Sequence, residues 1–355
     1  MLISALNSVI GVDNPLALAS KRSVCVILID GLGAHNLKGA GAHASFMNSM
    51  PSEPAMCWFP ATTATSITSF ATSSSPWSNG FLGYQVLDRS NSKQMNLLSG
   101  WSDFASGQEY QKLPTVAEQA LSSNVLFHTI APAAYERSGF TGATMRGGSF
   151  HGVNGIEDRF NRAKQLLSDT TSKVIYLYIP ELDQIAHSQG CGSTAWLNQL
   201  EQVDSLVRVL SGNLAKTAGL VVTADHGVVD VPKESHIYLD EIVSGDHFEF
   251  VGGDTRALYL YLKDPSNVSK IRTLLEEKLG DTCYITTTEE LTSAGYWQSL
   301  DPISMNVSPD LMVLAKKKVA LYHRDFAKSK SMQMVGHHGS ISSEELAIPL
   351  IKIGF

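Results

Sequence analysis

Cysteine is scarce and scattered in this sequence. Its four copies, Cys25, Cys57, Cys191 and Cys283, form no CxxC pair, which excludes a thiolate zinc knuckle and a dithiol redox motif. Cys25 lies inside an apolar run and reads as a small buried hydrophobe. Charge is sparse as well. Only 17% of residues are Asp, Glu, Lys or Arg, and 27 basic against 34 acidic side chains leave a net charge of −7. No Lys/Arg block interrupts that balance, so no nucleic-acid-binding surface is expected. A small anionic substrate would need metal ions or local dipoles to overcome the overall charge. No apolar stretch reaches membrane-spanning length, and no basic segment followed by an apolar one opens the chain. A soluble cytoplasmic protein with no membrane partner is the expectation. Internal repeats and low-complexity tracts are missing too, and oligomeric state has no signature.

What is present is 355 residues, 43% of them hydrophobic. That suffices for one large domain, or a large one with a smaller companion. Ser23–Ile29, Lys173–Ile179 and Gly219–Ala224 are continuous apolar, mostly β-branched or aromatic runs, as expected of strands buried on both faces of a parallel sheet. Val125–Ile130 is a fourth strand candidate, and its His128 reads as a core or edge histidine. Trp196, Leu200, Val203, Val207 and Leu210 recur at helical spacing and read as core packing. Thr115 with Glu118 three residues later marks a capping-box helix start. After Pro232 the composition shifts. A strand at 256–262, an amphipathic helix at 268–279 and a strand from Cys283 form a βαβ-like segment without an obvious ligand set. We read 233–308 as a small α+β cap inserted between residues 1–232 and 309–355. Pro309–Ala315 then reads as a return to the main unit, and Lys316–Lys318 as a solvated edge.

The strand candidates end in chemistry. The first runs into Asp30-Gly31-Leu32-Gly33, at the carboxyl end where open α/β sheets build their sites. Gly31-x-Gly33 is no dinucleotide loop: the third glycine of that fingerprint is missing, and Asp30 would repel a pyrophosphate. The second run is followed by Asp183 and His187, which one helical turn places on the same face, a spacing suited to chelating one metal. The third ends in Asp225-His226-Gly227, where the glycine supplies the turn that lets adjacent side chains reach one ion. A C-terminal loop carries His337-His338 between glycines. Each has a plainer reading: a helix cap for Asp30, a surface pair for Asp183 and His187, an ordinary loop for the paired histidines.

Cys57–Thr72 is the remaining element. Pro60 ends any preceding strand, small hydroxyl residues follow, and Ile67 and Phe70 are spaced for a helix face. The pattern predicts a helix beginning at Thr62 or Thr63. That would put a hydroxyl at a helix N-terminus, where free N–H groups favour an anion. Alone, Thr63 is an ordinary cap. Together with the ligand candidates it becomes a nucleophile between two metal sites: two divalent ions roughly 4 Å apart clamp an in-line displacement at phosphorus.

In motif order over most of residues 23–351, the sequence resembles the alkaline phosphatase superfamily, and within it the nucleotide pyrophosphatase/phosphodiesterase group. Pro60-x-x-Thr63 with Thr72 resembles the group's nucleophile segment; Ile29-Asp30-Gly31, Asp183-x-x-x-His187, Asp225-His226-Gly227 and His338-Gly339 resemble its ligand motifs. The resemblance implies a three-layer α/β sandwich around a mostly parallel sheet. It implies two divalent ions, taken as zinc (Asp/His sets also accept manganese or iron): one on Asp30, Thr63, Asp225 and His226, the other on Asp183, His187 and His338. His337 would stand behind them. The implied activity is hydrolysis of a phosphodiester or pyrophosphate bond, as in nucleotide derivatives, through a covalent Thr63 intermediate. Alternatives are a phosphomonoesterase, phosphonate hydrolase or phosphotransferase on the same core and, further off, a non-catalytic metal-binding protein. The sequence also departs from the group. Its Thr-Gly is Thr72-Ser73 here, its His-Gly is Asn79-Gly80, and its phosphoryl-contacting asparagine is replaced by Tyr84, the candidate substrate contact. The sulfatase segment Cys/Ser-x-Pro-x-Arg is missing, so a sulfatase is not expected.

Overall fold

All seven residues of Ser23–Ile29 are buried, and a run without a polar face needs strands beside it and helices on both sides. The computed structural model, which describes residues 1–101 and 104–355, provides both. Among the described residues this strand lies inside a six-stranded sheet. Its spatial order is Leu350–Ile353, Ala218–Thr223, Ser23–Ile29, Lys173–Ile179, Leu126–Ala131 and Ser149–Gly152. All neighbours run parallel except the edge strand Leu350–Ile353, which is antiparallel to Ala218–Thr223.

Strand side chains alternate between faces, and the two faces have separate cores. Cys25, Ile27 and Ile29 pack with Phe160 and Ala163 of helix Ile156–Ser168 and with Trp196, Leu200 and Val203 of helix Thr194–Gly212. Val24, Val26 and Leu28 pack on the opposite face with Leu2 and Leu6 of helix Leu2–Ile10, Ile67 and Ala71 of helix Thr63–Thr72, and Val116 of helix Val116–Ser122. Helix, sheet and helix form three layers. Thr115 and Glu118 make the expected reciprocal capping box, and the stripe from Trp196 to Leu210 is core. His128 is an edge-side histidine, its Nδ1 3.0 Å from His151 Nε2. Among the described residues no helix is long and apolar enough to cross a membrane, and all four cysteines are free thiols.

A second six-stranded sheet is antiparallel throughout, in the order Cys283–Thr286, Leu311–Ala315, Ala257–Leu262, Phe248–Asp254, Gln85–Asp88 and Lys93–Asn96. The βαβ-like segment is a split version of that unit. Its strands Ala257–Leu262 and Cys283–Thr286 run in the same direction, with Leu311–Ala315 inserted between them. This corrects one expectation: Leu311–Ala315 does not return to the main sheet. All five of its residues are buried, because helix Val268–Leu279 covers one face through Ile271 and Leu275 and a cluster with Phe59, Phe81 and Trp297 covers the other. A strand so enclosed has the same apolar composition as a main-sheet strand. The segment 85–96, from the first part of the chain, also joins this second sheet.

Arg256, at the hairpin between Asp254 and Ala257, ties the second sheet to the C-terminal segment. Its Nε and Nη2 donate to Glu345 Oε1 and Oε2, both at 2.9 Å, and Nη1 donates to the Lys317 and Val319 carbonyls. Both charges are essentially solvent-free, and Glu345 also accepts from the Ser340 N–H and the Ser342 hydroxyl. Breaking a buried pair from one side strands the other charge, at a cost of about 3–5 kcal/mol. Arg256→Met should lower the urea unfolding free energy by that amount. The double variant Arg256→Met/Glu345→Leu should regain most of it, because no unpaired charge is then left inside.

Candidate metal centre

The register of the main sheet brings the acidic strand ends to one level. Ile29 pairs with Ile179 and Leu28 with Thr223, so the three parallel strands stop together. Asp30 and Asp225 continue the alternation of Leu28 and Thr223, the face covered by helix Thr63–Thr72. Asp225 Oδ1 accepts the N–H groups of Gly31 and His226, each at 3.1 Å. Gly31 turns the chain at φ 72°, where a side chain would also press on Asp183. Gly227 is more confined: a Cβ there would lie 2.0 Å from the Glu344 carbonyl oxygen. Asn36 secures the same loop, accepting from Val228 N–H at 3.1 Å and donating to its carbonyl at 2.9 Å.

Helix Glu181–Gln189 carries Asp183 and His187 one turn apart, with His187 Nε2 3.1 Å from Asp183 Oδ2. The C-terminal loop delivers His338, whose ring stacks on His226 at 3.8 Å between centroids and lies 5.2 Å from His187. His226 Nε2 is 3.1 Å from Thr63 Oγ1 and 3.5 Å from both Asp30 Oδ1 and Asp225 Oδ2. Thr63, which begins its helix one residue after the N-cap Thr62, thus lies beside His226, the histidine that Asp30 and Asp225 also approach. The histidines are oriented alike. Nδ1 of His187, His226 and His338 faces the carbonyl of Gly336, Gly227 and Ala61 at 2.8, 3.2 and 2.8 Å. A carbonyl can only accept, so each Nδ1 carries the proton and each Nε2 lone pair is left for a metal.

The carboxylates fit that role. Each has one oxygen engaged by the protein and the other buried without a hydrogen bond: Asp30 Oδ1, Asp183 Oδ1 and Asp225 Oδ2. Buried, unpaired carboxylate oxygens are costly unless a cation meets them. Burial, together with the charges of Asp225 and Asp183, pushes the Asp30 carboxyl well above its usual range. Burial alone would lower His187, but the Asp183 carboxylate and the Gly336 carbonyl raise it to about 9. The site draws positive charge to itself. Two sets have ligand atoms within 4.8 Å of one another, Asp30–Asp225–His226 and Asp183–His226–His338, so His226 borders both.

Asp30, Thr63, Asp183, His187 and His338 line a cleft of about 710 Å³ between the two sheets, with Tyr84, Tyr135 and Tyr178 on its walls. Tyr84, the candidate substrate contact, is one of these wall residues. Sequence reasoning missed Tyr178, whose hydroxyl donates to Asp30 Oδ2, and Asp254, whose Oδ2 is 3.8 Å from His338 Nδ1. Tyr178 comes from a strand whose pattern otherwise reads as core, and Asp254 from Phe248–Asp254, a strand the sequence reading did not assign. His337 turns away from the ligands; its Nδ1 pairs with Thr255 Oγ1 at 2.8 Å and its Nε2 faces the Met334 carbonyl. It anchors the loop that delivers His338. The departures from the group's pattern are structural. Ser73 takes the left-handed conformation, φ 52°, that a glycine adopts freely. Asn79 is buried, accepting from Phe81 N–H at 2.9 Å and donating to the Ser69 and Ser74 hydroxyls.

A three-layer α/β sandwich with a carboxylate–imidazole cluster at its parallel strand ends, beside a helix-terminal threonine, is an alkaline-phosphatase-like architecture. The type I phosphodiesterase/nucleotide pyrophosphatase family matches residues 24–341. The chain belongs to that family, within the alkaline phosphatase superfamily, and is a phosphodiesterase/pyrophosphatase-like hydrolase of a bimetal-dependent kind. Among solved structures it is similar to murine ectonucleotide pyrophosphatase/phosphodiesterase 5, in an inactive variant complexed with AMP. That likeness has 14% identity and a TM-score of 0.73 over 92% of this chain and 87% of that one. The human counterpart matches with 13% identity, TM-score 0.73, and 93% and 87% coverage. No curated protein matched by sequence comparison. The confinement of Gly227 makes it a sensitive test of the loop: Gly227→Ala should displace His226 and lower kcat/KM on bis-p-nitrophenyl phosphate by roughly 10²-fold, while far-ultraviolet circular dichroism stays near wild type.

Proposed function

We propose that the protein hydrolyses phosphodiester or pyrophosphate bonds of small phosphate esters, nucleotide derivatives included, by way of a covalent Thr63 intermediate, with two zinc ions as cofactors. The observation that carries this reading is the position of Thr63 Oγ1, 3.1 Å from His226 Nε2 at the start of a helix facing the carboxylates. Asp30, Thr63, Asp225 and His226 would hold one ion; Asp183, His187 and His338 the other. When bound, such a pair supplies Lewis-acid stabilisation of the attacking and leaving oxygens.

The chain's own groups supply the rest. Thr63 gives up its hydroxyl proton and attacks phosphorus; a P–O bond to its Oγ1 forms as the bond to the leaving oxygen breaks and that oxygen takes up a proton. Water later breaks the phosphothreonine linkage, releasing the phosphate product and returning a proton to Oγ1. The helix dipole and the first-turn N–H groups, which have no carbonyl within the helix to meet, favour the negative phosphoryl oxygens. The backbone bonds at Nδ1 hold the three imidazoles in one tautomer through the cycle. Tyr84 and Tyr135 offer aromatic surface on the cleft walls to a flat leaving or retained group. AMP in the murine relative supports a nucleotide as that group.

Thr63→Ala should retain metal near the wild-type level by elemental analysis while kcat on bis-p-nitrophenyl phosphate falls by at least ~10³-fold. A variant that keeps most of its turnover would remove Thr63 as the nucleophile. Wild-type rates higher on p-nitrophenyl phosphate than on the diester would move the assignment to a monoesterase on the same residues.

A further inference from the structure

The three carboxylates of the cluster are not held in the same way. Asp225 is fixed by two backbone N–H groups, those of Gly31 and His226. Asp183 is carried on a helix, against His187. Asp30 has one hydrogen-bond partner, the hydroxyl of Tyr178 on its Oδ2, and its Oδ1 has none. Its orientation therefore depends on a side chain that can be altered without touching the backbone.

Tyr178 is built to act as that support. It is next to last in the strand Lys173–Ile179 and pairs in register with Leu28, two residues before Asp30, so both side chains project from the same face. Its ring lies nearly parallel to Tyr176, 6.2 Å away, and beside Tyr135 at 6.1 Å. The phenol is thus placed by aromatic neighbours, whatever occupies the cleft. A carboxylate with one oxygen accepting from a fixed phenol is held in one orientation, and in that orientation Asp30 Oδ1 is the atom 3.5 Å from His226 Nε2.

We propose that Tyr178 is a positioning residue for one of the two metal sites, holding Asp30 so that Oδ1 is turned to the ion shared with Asp225 and His226. It sets the affinity of that site and leaves the Asp183–His187–His338 site untouched. The inference rests on the two-ion reading above. Tyr176 provides the control: its hydroxyl is also buried but has no partner, so removing it costs little.

The test dialyses zinc-loaded wild type, Tyr178→Phe and Tyr176→Phe against graded EDTA and counts zinc per chain. Tyr178→Phe should lose one equivalent at roughly 10–100-fold lower chelator, with the second equivalent released as in wild type. Tyr176→Phe should match wild type at both, and the metal-free melting temperatures of all three should agree. Excess Zn2+ should restore kcat to Tyr178→Phe. Retention of both equivalents by Tyr178→Phe at wild-type affinity overturns the proposal, as does loss of both in step with a lowered metal-free melting temperature. Fewer than two equivalents in wild type itself brings down the two-ion reading, and this inference with it.

Discussion

Three buried carboxylates within reach of one histidine are the constraint on which this molecule turns. Asp30, Asp183 and Asp225 are almost wholly removed from solvent, and each keeps one oxygen with no hydrogen bond. Burial weakens the screening of their repulsion, and burial of unpaired charge costs several kcal/mol per group. A scaffold built around apolar packing alone would not gather them. Much of the surrounding structure can be understood as holding that cluster together: the backbone bonds on Asp225, the carbonyls behind each imidazole, and the phenol behind Asp30.

The two sheets divide that labour. The parallel sheet sets the depth of Asp30 and Asp225 through strand register, and a shift of one residue would send these side chains to the opposite face. The antiparallel sheet contributes no ligand to either set. Its hairpin at 254–257 places Asp254 near His338, Thr255 against His337 and Arg256 against Glu345. These three contacts help fix the C-terminal loop, which comes from neither six-stranded sheet and is also held by the pairing of Gly336–His337 with Val229–Asp230 and by the Gly336 and Ala61 carbonyl contacts. The apparent accessory layer thus positions the ligand that arrives last in the chain.

What could be read from residues alone follows the same division. The parallel strands were legible because double-sided burial writes itself as uninterrupted apolar runs, and their ends were legible because Asp and Gly break those runs. Asp183 and His187 could be paired because helical spacing is local. Leu311–Ala315 could not be assigned to its sheet, since an apolar strand records that it is covered and not by what. Tyr178 and Asp254 were invisible for a related reason. Each sits near the end of a strand whose pattern is explained by packing, and its polar function depends on a partner more than eighty residues away. Ser73 shows the reverse case, a motif glycine replaced while the left-handed conformation is kept, so loss of the letter did not mean loss of the geometry.

The overall charge adds a last consequence. A chain of net charge −7 with three carboxylates clustered at its cleft, Asp30 and Asp183 lining it and Asp225 buried beside them, repels a phosphate ester, and desolvation strengthens that repulsion by lowering the local dielectric. The N-terminal dipole of the Thr63 helix amounts to roughly half a unit of positive charge, too little to reverse the sign. Two divalent cations would bring +4 against the carboxylates' −3 and turn the floor attractive. Substrate binding and metal binding are then one linked equilibrium: the cations that relieve the strain among the aspartates also make the cleft acceptable to an anion. The same groups that make the metal-free cluster unfavourable thereby make the loaded cleft selective for negatively charged esters, because a neutral ligand gains nothing from the change of sign.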